Sequence, residues 1–433
     1  MQTIVIVGGG AGGLELATRL GDSALRSGAL RVILVDRWPA HFWKPLLHTL
    51  ASGKRDAQTT QIDYAAQAFQ HGFEFVRGEV VAVDRDAQCI RLAPRQADDG
   101  SDLQPARTLS YDKLVLALGS VTNFFGVPGA ADHVLTLDDV AQAETFRQRF
   151  MDGCIQASTD EANWPEAPRG IDIVIVGGGA TGVELAAELS HSARTLARYK
   201  VHALDPVRDV RIRILERGSL LLPHLHPRLS KRAARHLRSL GVKVTTDCGV
   251  ASVGQHDVID SEGCRYPSSL TLWAAGVEAP PLCATLGLVV NALRQIAVTP
   301  TLQAVGDQNV YALGDCASFI CPVEGKLPPR AQAAHQQAMF LAQVLARPGS
   351  PTRAVFQYRD HGSLVSLGPL AAVGVLAAHV GGRKLQVGGA LARWLYGLMY
   401  QKHLMALHGF ARMATRTLAD WLAARISPSV KLH

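Results

Sequence analysis

Two glycine-rich loops contain residue types that can bind phosphate. The pattern G-x-G-x-x-G occurs twice, first as Gly8, Gly10 and Gly13 and again as Gly177, Gly179 and Gly182. In this pattern the first glycine allows a tight turn, the second lets the backbone approach a pyrophosphate, and the third lets the following helix pack closely on its strand. The N–H groups and the dipole at the start of that helix favour negative charge. Each loop therefore predicts a site for the pyrophosphate of a dinucleotide.

An acidic residue follows each loop where a ribose would be bound. Asp36 comes 23 residues after Gly13, close to the spacing of about 20 that is typical of dinucleotide sites. Glu216 comes 34 residues after Gly182, because a polar stretch lengthens the segment between them. A carboxylate at this strand tip can accept hydrogen bonds from the hydroxyl groups of an adenosine ribose. The sequence therefore predicts two adenine dinucleotide sites.

The two loops lie in segments of nearly the same sequence. Residues 4–17 read IVIVGGGAGGLELA and residues 173–186 read IVIVGGGATGVELA, so 12 of 14 positions match. A short apolar run rich in β-branched residues is typical of a buried parallel strand, and the residues after the glycines have a helical apolar period. The repeat predicts an α/β fold with two Rossmann-type dinucleotide-binding domains.

Three more candidates lie at predicted strand ends, where doubly wound sheets bind their ligands. Lys44 belongs to the loop HFWKPLLHTLASG, which could pack against a flavin and polarise it; an ordinary buried loop is the alternative. Gly119 ends the apolar run YDKLVLALG at a turn, and Asp315 ends NVYALGD. The Asp315 carboxylate can accept a hydrogen bond from a sugar-alcohol hydroxyl, and it can also cap the next helix.

The basic charge is concentrated near the end of the 433-residue chain. From residue 383 onward there are eight Lys or Arg against one acid, so these residues account for the whole formal net charge of +7. Apolar residues, Trp and Tyr alternate with the basic residues between 388 and 426, a pattern typical of a helix in a membrane interface. A helical domain that packs on the body or forms a dimer is the alternative.

Several classes of protein are disfavoured by the composition. The seven cysteines follow no regular framework, which indicates a reducing compartment. The first strand is predicted so close to Met1 that no signal peptide is expected before it. No uncharged apolar run of about 18 residues occurs, so no bilayer-spanning helix is expected.

Together these motifs resemble those of the type II, non-pumping NADH:quinone oxidoreductases, and the bacterial members most closely. The resemblance rests on both glycine-loop units, on WKPLLH, on Gly314-Asp315 and on AQAAHQQ in a helix predicted over 327–346, and it extends through FQYRDHGSLVSLG at 356–368 to the closing KLH. It implies a pyridine nucleotide-disulfide oxidoreductase-like flavoprotein with the glutathione-reductase arrangement of two Rossmann-type domains. A C-terminal amphipathic, membrane-anchoring region would follow them.

The resemblance also implies the ligands and the cellular place. FAD would be bound non-covalently, NADH would be the reductant and a membrane quinone the acceptor, with no metal and no nucleic acid. The FAD-binding domain would comprise residues 1–125 and 286–347, with the NADH-binding domain at 126–285 inserted and the membrane-association domain at 348–433. The enzyme would lie on the cytoplasmic face of the inner membrane as a peripheral protein. Which quinone it uses and whether it forms a homodimer stay open.

Site residues follow from the same resemblance. The FAD contacts would be Gly8, Gly10, Gly13, Asp36, Lys44, Gly119 and Asp315. The NADH contacts would be Gly177, Gly179, Gly182 and Glu216, with Ala275 and Gly276 near the nicotinamide. The residues that act in catalysis would be Lys44, Glu184 near the nicotinamide and flavin, and Gln332 and Gln336 at the quinone. One departure is Thr49, where members of the group commonly have an acid.

Three rival functions are considered. A disulfide reductase of this fold would need a C-x4-C pair after the first acid, and residues 37–53 contain no cysteine; Cys316 and Cys321 have the spacing but follow Gly314-Asp315. A sulfide:quinone oxidoreductase would need redox cysteines over the flavin, yet Cys154 lies in a predicted linker and no cysteine follows Cys321. A flavoprotein that senses NADH and docks a partner is the non-enzymatic alternative.

Overall fold

Two compact units make up the described chain in this computed structural model. The structure describes residues 1–97, 99–158, 170–200, 204–322, 325–347, 354–369, 371–377, 384–426 and 430. The first unit comprises Met1–Lys44, Gln61–Val121 and Val277–Arg359, and the second comprises Pro45–Thr60, Thr122–Gly276 and Asp360–His433. The predicted four-segment division concerns which ligand each segment binds, and it stays a prediction.

A five-stranded parallel sheet forms the centre of the first unit. Its strands lie in the order Val310–Ala312, Lys113–Leu116, Gln2–Val7, Leu30–Asp36 and Glu74–Arg77. The central strand is apolar because it is covered on both faces, and Ile4, Val5 and Ile6 are fully buried. Burial of each such side chain stabilises the fold by about 1.5–3 kcal/mol. Since all the strands are parallel, the residues after Val7, Leu116 and Ala312 meet at one edge of the sheet.

The other elements of the first unit surround this sheet. Its helices are Ala11–Ser27, Tyr64–His71, Leu282–Thr285 and Ala331–Leu345, with a 3₁₀ turn at Gly314–Cys316. An antiparallel sheet contains Val80–Asp84, Cys89–Leu92 and Arg107–Ser110. Short strand pairs are Ala40–His41 with Ile62–Asp63, Arg95–Gln96 with Asp102–Gln104, Ile296–Ala297 with Ala317–Ser318, and Ile320–Cys321 with Gly325–Lys326. Short elements at the borders of the two units are Lys44–Leu46, Val121–Thr122 and Val277–Glu278.

The second unit repeats the arrangement with a four-stranded parallel sheet. Its strands lie in the order Lys243–Thr245, Val210–Leu215, Ile171–Val176 and Leu270–Trp273. Two antiparallel sheets accompany it, one of Val250–Val253, Asp257–Asp260 and Arg265–Pro267 and one of Gly362–Ser366, Ala372–Ala377 and Lys384–Gly389. The helices are Leu47–Ala51, Ala57–Thr60, Ala130–His133, Val140–Ala157, Ala180–Arg198, Pro227–Ser239 and Ala390–Ile426. Both predicted Rossmann-type units are therefore present.

Two sequence-based boundaries are corrected. Residues 73–83, FEFVRGEVVAV, alternate in sequence as a single strand would, but they form the separate strands Glu74–Arg77 and Val80–Asp84. Gly78 and Glu79 carry the chain from the parallel sheet to the antiparallel one. The helix predicted over 327–346 begins at Ala331, so its two prolines precede the helix instead of forming its first turn.

The last helix, Ala390–Ile426, is interrupted at Gly409, whose φ of 74° and ψ of 173° are not helical. Within the described residues, no helix is both long and apolar enough to span a membrane. Of the basic residues counted near the end of the chain, Arg383 and Lys431 lie outside the described residues.

Candidate functional site

The three glycines of the first loop have different surroundings. Gly8 has a φ of +102°, which favours glycine, and it forms the turn after the central strand. A Cβ atom on Gly13 would lie 1.8 Å from the carbonyl oxygen of Gly8, so helix Ala11–Ser27 can approach the strand only without a side chain there. At Gly10 a Cβ atom would meet nothing within 4 Å. This glycine therefore faces open space beside the start of the helix.

The second loop has the same three environments. Gly177 has a φ of +110°, and a Cβ atom on Gly182 would lie 2.1 Å from its carbonyl oxygen. A Cβ atom on Gly179 would again meet nothing within 4 Å. Neither Gly10 nor Gly179 can cap its helix with a side chain, so the first N–H groups of both helices remain directed at that open space.

Each acidic residue that is predicted to bind a ribose is hydrogen-bonded to its own glycine loop. Asp36 accepts hydrogen bonds from the N–H groups of Gly9 at 2.6 Å and of Trp38 at 2.8 Å. Glu216 accepts in the same way from Gly178 and from Gly218, both at 2.6 Å. Burial raises the pKa of Asp36, and the Gly9 hydrogen bond opposes this shift. Both carboxylates are therefore fixed at the strand tip with lone pairs left over for a ligand.

Two residues of the first unit, which the sequence did not single out, hold this loop in place. The Tyr64 hydroxyl donates to the carbonyl oxygen of Gly9 at 2.7 Å, and Nδ1 of His41 lies 2.9 Å from the same oxygen. Burial lowers the pKa of His41 to about 4, so its ring is neutral at physiological pH. No local motif marks either residue, because each reaches Gly9 only through the tertiary fold.

The other strand ends of the first unit bring three predicted residues together. Lys44 donates from Nζ to the carbonyl oxygen of Ser120 at 2.9 Å, and the Ser120 hydroxyl donates to Oδ2 of Asp315 at 2.8 Å. Gly119 adjoins Ser120, has a φ of +69° and faces open space. Burial raises the pKa of Asp315, whereas the Ser120 hydrogen bond and the nearby Lys44 charge lower it. Lys44, Gly119 and Asp315 therefore form one polar group at the edge of the sheet.

The two predicted quinone-site glutamines bind the same stretch of backbone. Gln336 donates from Nε2 to the carbonyl oxygen of Arg359 at 2.8 Å and accepts from its N–H group at 2.9 Å. Gln332 donates to the same carbonyl oxygen at 3.0 Å. These amides thus act as a clamp on residue 359 instead of being merely solvated.

Glu184 lies buried in helix Ala180–Arg198, with partners from three other parts of the second unit. Its Oε1 accepts from the N–H group of Ser366 at 2.9 Å, it is hydrogen-bonded to the Tyr396 hydroxyl, and Nδ1 of His48 lies 3.4 Å from its Oε2. Burial raises the pKa of Glu184 to about 8, and burial lowers the pKa of His48 to about 4. At neutral pH both groups are therefore uncharged, and their contact is not an ion pair.

His48 is itself incompletely satisfied. Only 2% of the residue is exposed, and within the described part of the chain its Nε2 atom has no hydrogen-bond partner. Buried polar atoms in native proteins normally have a partner, so this atom is free to bind an ordered water or a ligand group. His48 precedes Thr49, the position at which members of the group commonly have an acid. The Thr49 hydroxyl donates to the carbonyl oxygen of Leu46 at 2.6 Å.

In the sequence repeat, Glu15 of the first unit corresponds to Glu184. The residue one helical turn later has the opposite charge in the two copies. Glu15 is fully buried and pairs with Arg19, one helical turn later, at 2.8 Å; Nδ1 of His335 lies 2.5 Å from its other oxygen. In the second copy the position of Arg19 is Glu188, which pairs with Lys54 at 2.8 Å and raises the pKa of Glu184 further. One copy therefore holds an ion-paired carboxylate and the other a carboxyl group that keeps its proton.

Ala275 and Gly276 adjoin the second glycine loop. A Cβ atom on Gly177 would lie 2.8 Å from Cα of Ala275, so these segments are in close contact. A Cβ atom on Gly276 would lie 2.6 Å from the Phe125 ring, so a side chain there would require that ring to move. Both residues therefore lie at the same edge of the sheet as Gly177.

The cysteines of the described chain form no redox pair. Neither Cys316 nor Cys321 forms a disulfide bond, and Sγ of Cys316 donates to the carbonyl oxygens of Leu116 at 3.4 Å and Leu313 at 3.3 Å. Burial raises the pKa of the Cys316 thiol well above its usual value, so it stays protonated. A buried, protonated thiol is a poor nucleophile, which fits a core residue.

The residues of the first unit fit an adenine dinucleotide such as FAD. Gly10 leaves a space that a side chain would fill, and uncapped helix N–H groups adjoin it. The Asp36 carboxylate can accept hydrogen bonds from a ribose, and Lys44 and Asp315 supply a cation and a hydrogen-bond acceptor near the other strand ends. The second unit provides the same space at Gly179 and the same acceptor at Glu216.

Comparison with known proteins agrees with this geometry. Residues 2–338 match the family described as pyridine nucleotide-disulphide oxidoreductase. A type II NADH:quinone oxidoreductase of Haemophilus influenzae is 37% identical over 446 residues that cover 100% of both chains. The chain belongs to the type II NADH:quinone oxidoreductases of this family. The predicted membership and the predicted fold class are confirmed.

Two further proteins share less of their sequence with this chain. The demethylphylloquinone reductase of Synechocystis sp. is 29% identical over 435 residues and covers 97% of each chain. Among solved structures, NDH2 of Plasmodium falciparum in complex with NADH covers 99% of this chain and 100% of its own, with a TM-score of 0.81 and 19% identity. At this identity the likeness shows a shared fold.

Proposed function

We propose that this oxidoreductase oxidises NADH and reduces a membrane quinone to quinol, with FAD as its resident cofactor and without pumping protons. The observation that carries the proposal is the pair of open glycine loops, each with its own anchored carboxylate. Two such sites are what a resident dinucleotide and a second, exchangeable one require. The curated relatives named as type II NADH:quinone oxidoreductases support the choice of NADH and quinone.

The first loop would hold FAD and the second would hold NADH. Gly8, Gly10, Gly13 and Asp36 would bind the pyrophosphate and ribose of FAD, with Lys44, Gly119 and Asp315 nearby. Gly177, Gly179, Gly182 and Glu216 would bind NADH, with Ala275 and Gly276 toward its nicotinamide. When bound, FAD accepts a hydride from NADH and passes two electrons to the quinone.

Glu184 would hold a proton for quinol formation. Its pKa of about 8 keeps it protonated at physiological pH, and the Ser366 N–H group and the Tyr396 hydroxyl fix its orientation. His48 is neutral, its Nδ1 atom lies 3.4 Å from Oε2 of Glu184, and its Nε2 atom has no partner among the described residues, so its ring would be placed to relay a proton to Glu184. Positioned acids with a pKa near the working pH are efficient proton donors.

Gln332 and Gln336 would shape the quinone site by holding the backbone at Arg359. Three hydrogen bonds fix both the N–H and the carbonyl group of that residue. A backbone held in this way is preorganised, so binding a quinone beside it costs less conformational entropy.

Attachment to a membrane surface would use the last helix. Leu391, Trp394, Leu398 and Met405 recur at helical spacing and are exposed on one side of it. An exposed apolar stripe that contains Trp, beside exposed basic residues such as Lys402 and Arg412, is typical of a helix lying in the interface of an anionic membrane. The cytoplasmic face of the inner membrane is the proposed location. A second copy of the chain on this stripe, giving a homodimer, is the alternative.

The test is anaerobic stopped-flow of the purified, yellow protein. Flavin absorbance should fall rapidly on mixing with NADH and recover rapidly when a short-chain quinone is added. Rapid reduction without recovery would retain both dinucleotide sites and overturn quinone as the acceptor. No reduction by NADH would overturn the assignment of the second loop.

We expect catalytic efficiency at least about tenfold higher with NADH than with NADPH, a difference of about 1.4 kcal/mol. Glu216 would accept from the 2′-hydroxyl of NADH and repel a 2′-phosphate. Arg213, the cation three residues earlier, is engaged elsewhere, because it stacks on Tyr266 and donates to Thr245 at 3.3 Å. Steady-state kinetics with both nucleotides check this expectation, and equal kcat/KM values would contradict it.

A further inference from the structure

A cavity of about 300 Å³ in the second unit is not used by the proposed reaction. It lies between helix Pro227–Ser239 and the antiparallel sheet that precedes the last helix. Its polar wall consists of Arg232, Arg235, His236 and Ser239, and its apolar wall includes Leu367 and Val373. No carboxylate lines it.

The positive charge at this cavity has no counterpart in the described part of the chain. Helix Pro227–Ser239 contains no acidic residue, and neither Arg232 nor Arg235 makes an ion pair or a hydrogen bond with another described residue. His236 is fixed by a contact of 3.0 Å between its Nε2 and the carbonyl oxygen of Leu367. Paired arginines without an acid are the usual means of binding phosphate groups.

The backbone opposite the cavity is shaped to receive one of the arginines. A Cβ atom on Gly388 would lie 2.7 Å from Nη1 of Arg232, so the guanidinium occupies the space that a side chain would fill. Gly389 has a φ of +77°, and the last helix begins at the next residue, Ala390. The start of a helix is itself electropositive. Both arginines and the helix N-terminus therefore present positive charge to the cavity.

The last helix, Ala390–Ile426, indicates the source of the anion. Leu391 and Trp394 lie in the first two turns of the last helix and are 60% and 63% exposed. We propose that this cavity binds the phosphate of an anionic phospholipid headgroup, with the acyl chains over Leu391 and Trp394. This inference rests on the proposed attachment of the last helix to a membrane.

The test measures binding of the full-length, FAD-loaded protein to vesicles. Co-sedimentation is followed with vesicles of phosphatidylcholine alone and of equal parts phosphatidylcholine and phosphatidylglycerol. We expect the double variant Arg232→Gln, Arg235→Gln to bind the anionic vesicles at least about tenfold more weakly. The matched control, Arg228→Gln with Arg238→Gln, removes the same charge from exposed residues of the same helix outside the cavity. The affinity of this control should fall clearly less than that of the cavity variant, because its arginines would add only general attraction to the anionic surface.

A second variant keeps both arginines. Ser239→Glu places a carboxylate in the cavity from an exposed position, where it would pair with the guanidinium groups and displace a lipid phosphate. It should therefore also weaken binding to anionic vesicles. Flavin content and activity with a water-soluble quinone should be unchanged in all three variants.

Each result has a separate meaning. Equal binding by the wild type, the cavity variants and the control would overturn the cavity as a lipid site while leaving membrane attachment intact. Failure of the wild type to bind any vesicle would overturn membrane attachment and the lipid assignment with it. If inorganic phosphate raised the Tm only when Arg232 and Arg235 are present, and vesicle binding did not depend on them, the ligand would be free phosphate and the lipid assignment would be wrong.

Discussion

Glu184→Gln is expected to slow quinone turnover by about a hundredfold or more at pH 7 while flavin reduction by NADH stays rapid. The amide keeps the size of the side chain and the hydrogen bond from Ser366 but has no proton to give. A positioned acid contributes about a hundredfold or more to such a step. Stopped-flow separates the two half-reactions. Unchanged turnover with quinone would show that Glu184 is not the proton donor.

The pH dependence of quinone turnover provides a second test of Glu184 as a proton donor. A residue that only supported the fold would not produce it. With a pKa of about 8, Glu184 is protonated below that pH, so quinone turnover by the wild type should decline as the pH rises through about 8. The Glu184→Gln variant should lack this decline. A decline of the same size in both would assign the titration to another group.

Protein stability should change with the same group. Because the pKa of Glu184 is raised in the folded state, its contribution is fully present below its ordinary, unfolded value and is lost as the pH rises through about 8. The Tm of the wild type should therefore fall, relative to that of the Glu184→Gln variant, between about pH 4.5 and pH 8. Parallel Tm curves for the two proteins would contradict the assigned pKa shift.

Gly179→Ala is expected to raise the KM for NADH by at least about tenfold without unfolding the protein, a loss of about 1.4 kcal/mol of binding. Gly179 has a φ of −72°, which alanine adopts readily, and its Cβ atom would meet no protein atom within 4 Å. The added methyl group would instead fill the space proposed for the pyrophosphate. Steady-state kinetics and thermal unfolding check the two parts of this expectation.

The matched variant in the other loop should have the converse effect. Gly10→Ala is equally free of backbone strain and of contacts within 4 Å, so it should lower flavin content and leave the affinity for NADH, measured by calorimetry, nearly unchanged. Gly182→Ala, whose Cβ atom would lie 2.1 Å from the Gly177 carbonyl oxygen, should lower the Tm instead. Loss of both ligands from either single loop variant would refute the separate assignments.

The sequence predicted the parts of the fold that depend on local backbone geometry. A glycine loop after an apolar strand requires its glycines for steric reasons, and the structure shows a positive φ at Gly8 and close packing at Gly13. Parallel strand ends meet at one edge, so Lys44 and Asp315 could be expected near one another although they lie far apart in sequence. Their shared partner, Ser120, confirms that proximity.

The environment of Glu184 could not be predicted in the same way. Ser366 follows it by 182 residues, and His48 and Tyr396 belong to other elements again. No local pattern encodes such contacts, and the pKa depends on their burial. The net charge of the chain did not predict the basic cavity. The chain before residue 383 is neutral overall, yet helix Pro227–Ser239 contains several basic residues and no acidic one.

The two copies of the sequence repeat have a glutamate at the same helical position, Glu15 or Glu184. One turn later the first copy has Arg19 and the second has Glu188, so the two environments of the glutamate can be compared within one molecule. Glu15, neutralised by Arg19, shows what this helical position does when it only supports the fold. Glu184, with an acid at that place, shows the same scaffold adapted to store a proton. In a duplicated nucleotide-binding protein, the protonation of a carboxyl group at this helical position would thus depend on its burial and hydrogen bonds as well as on the charge one turn away.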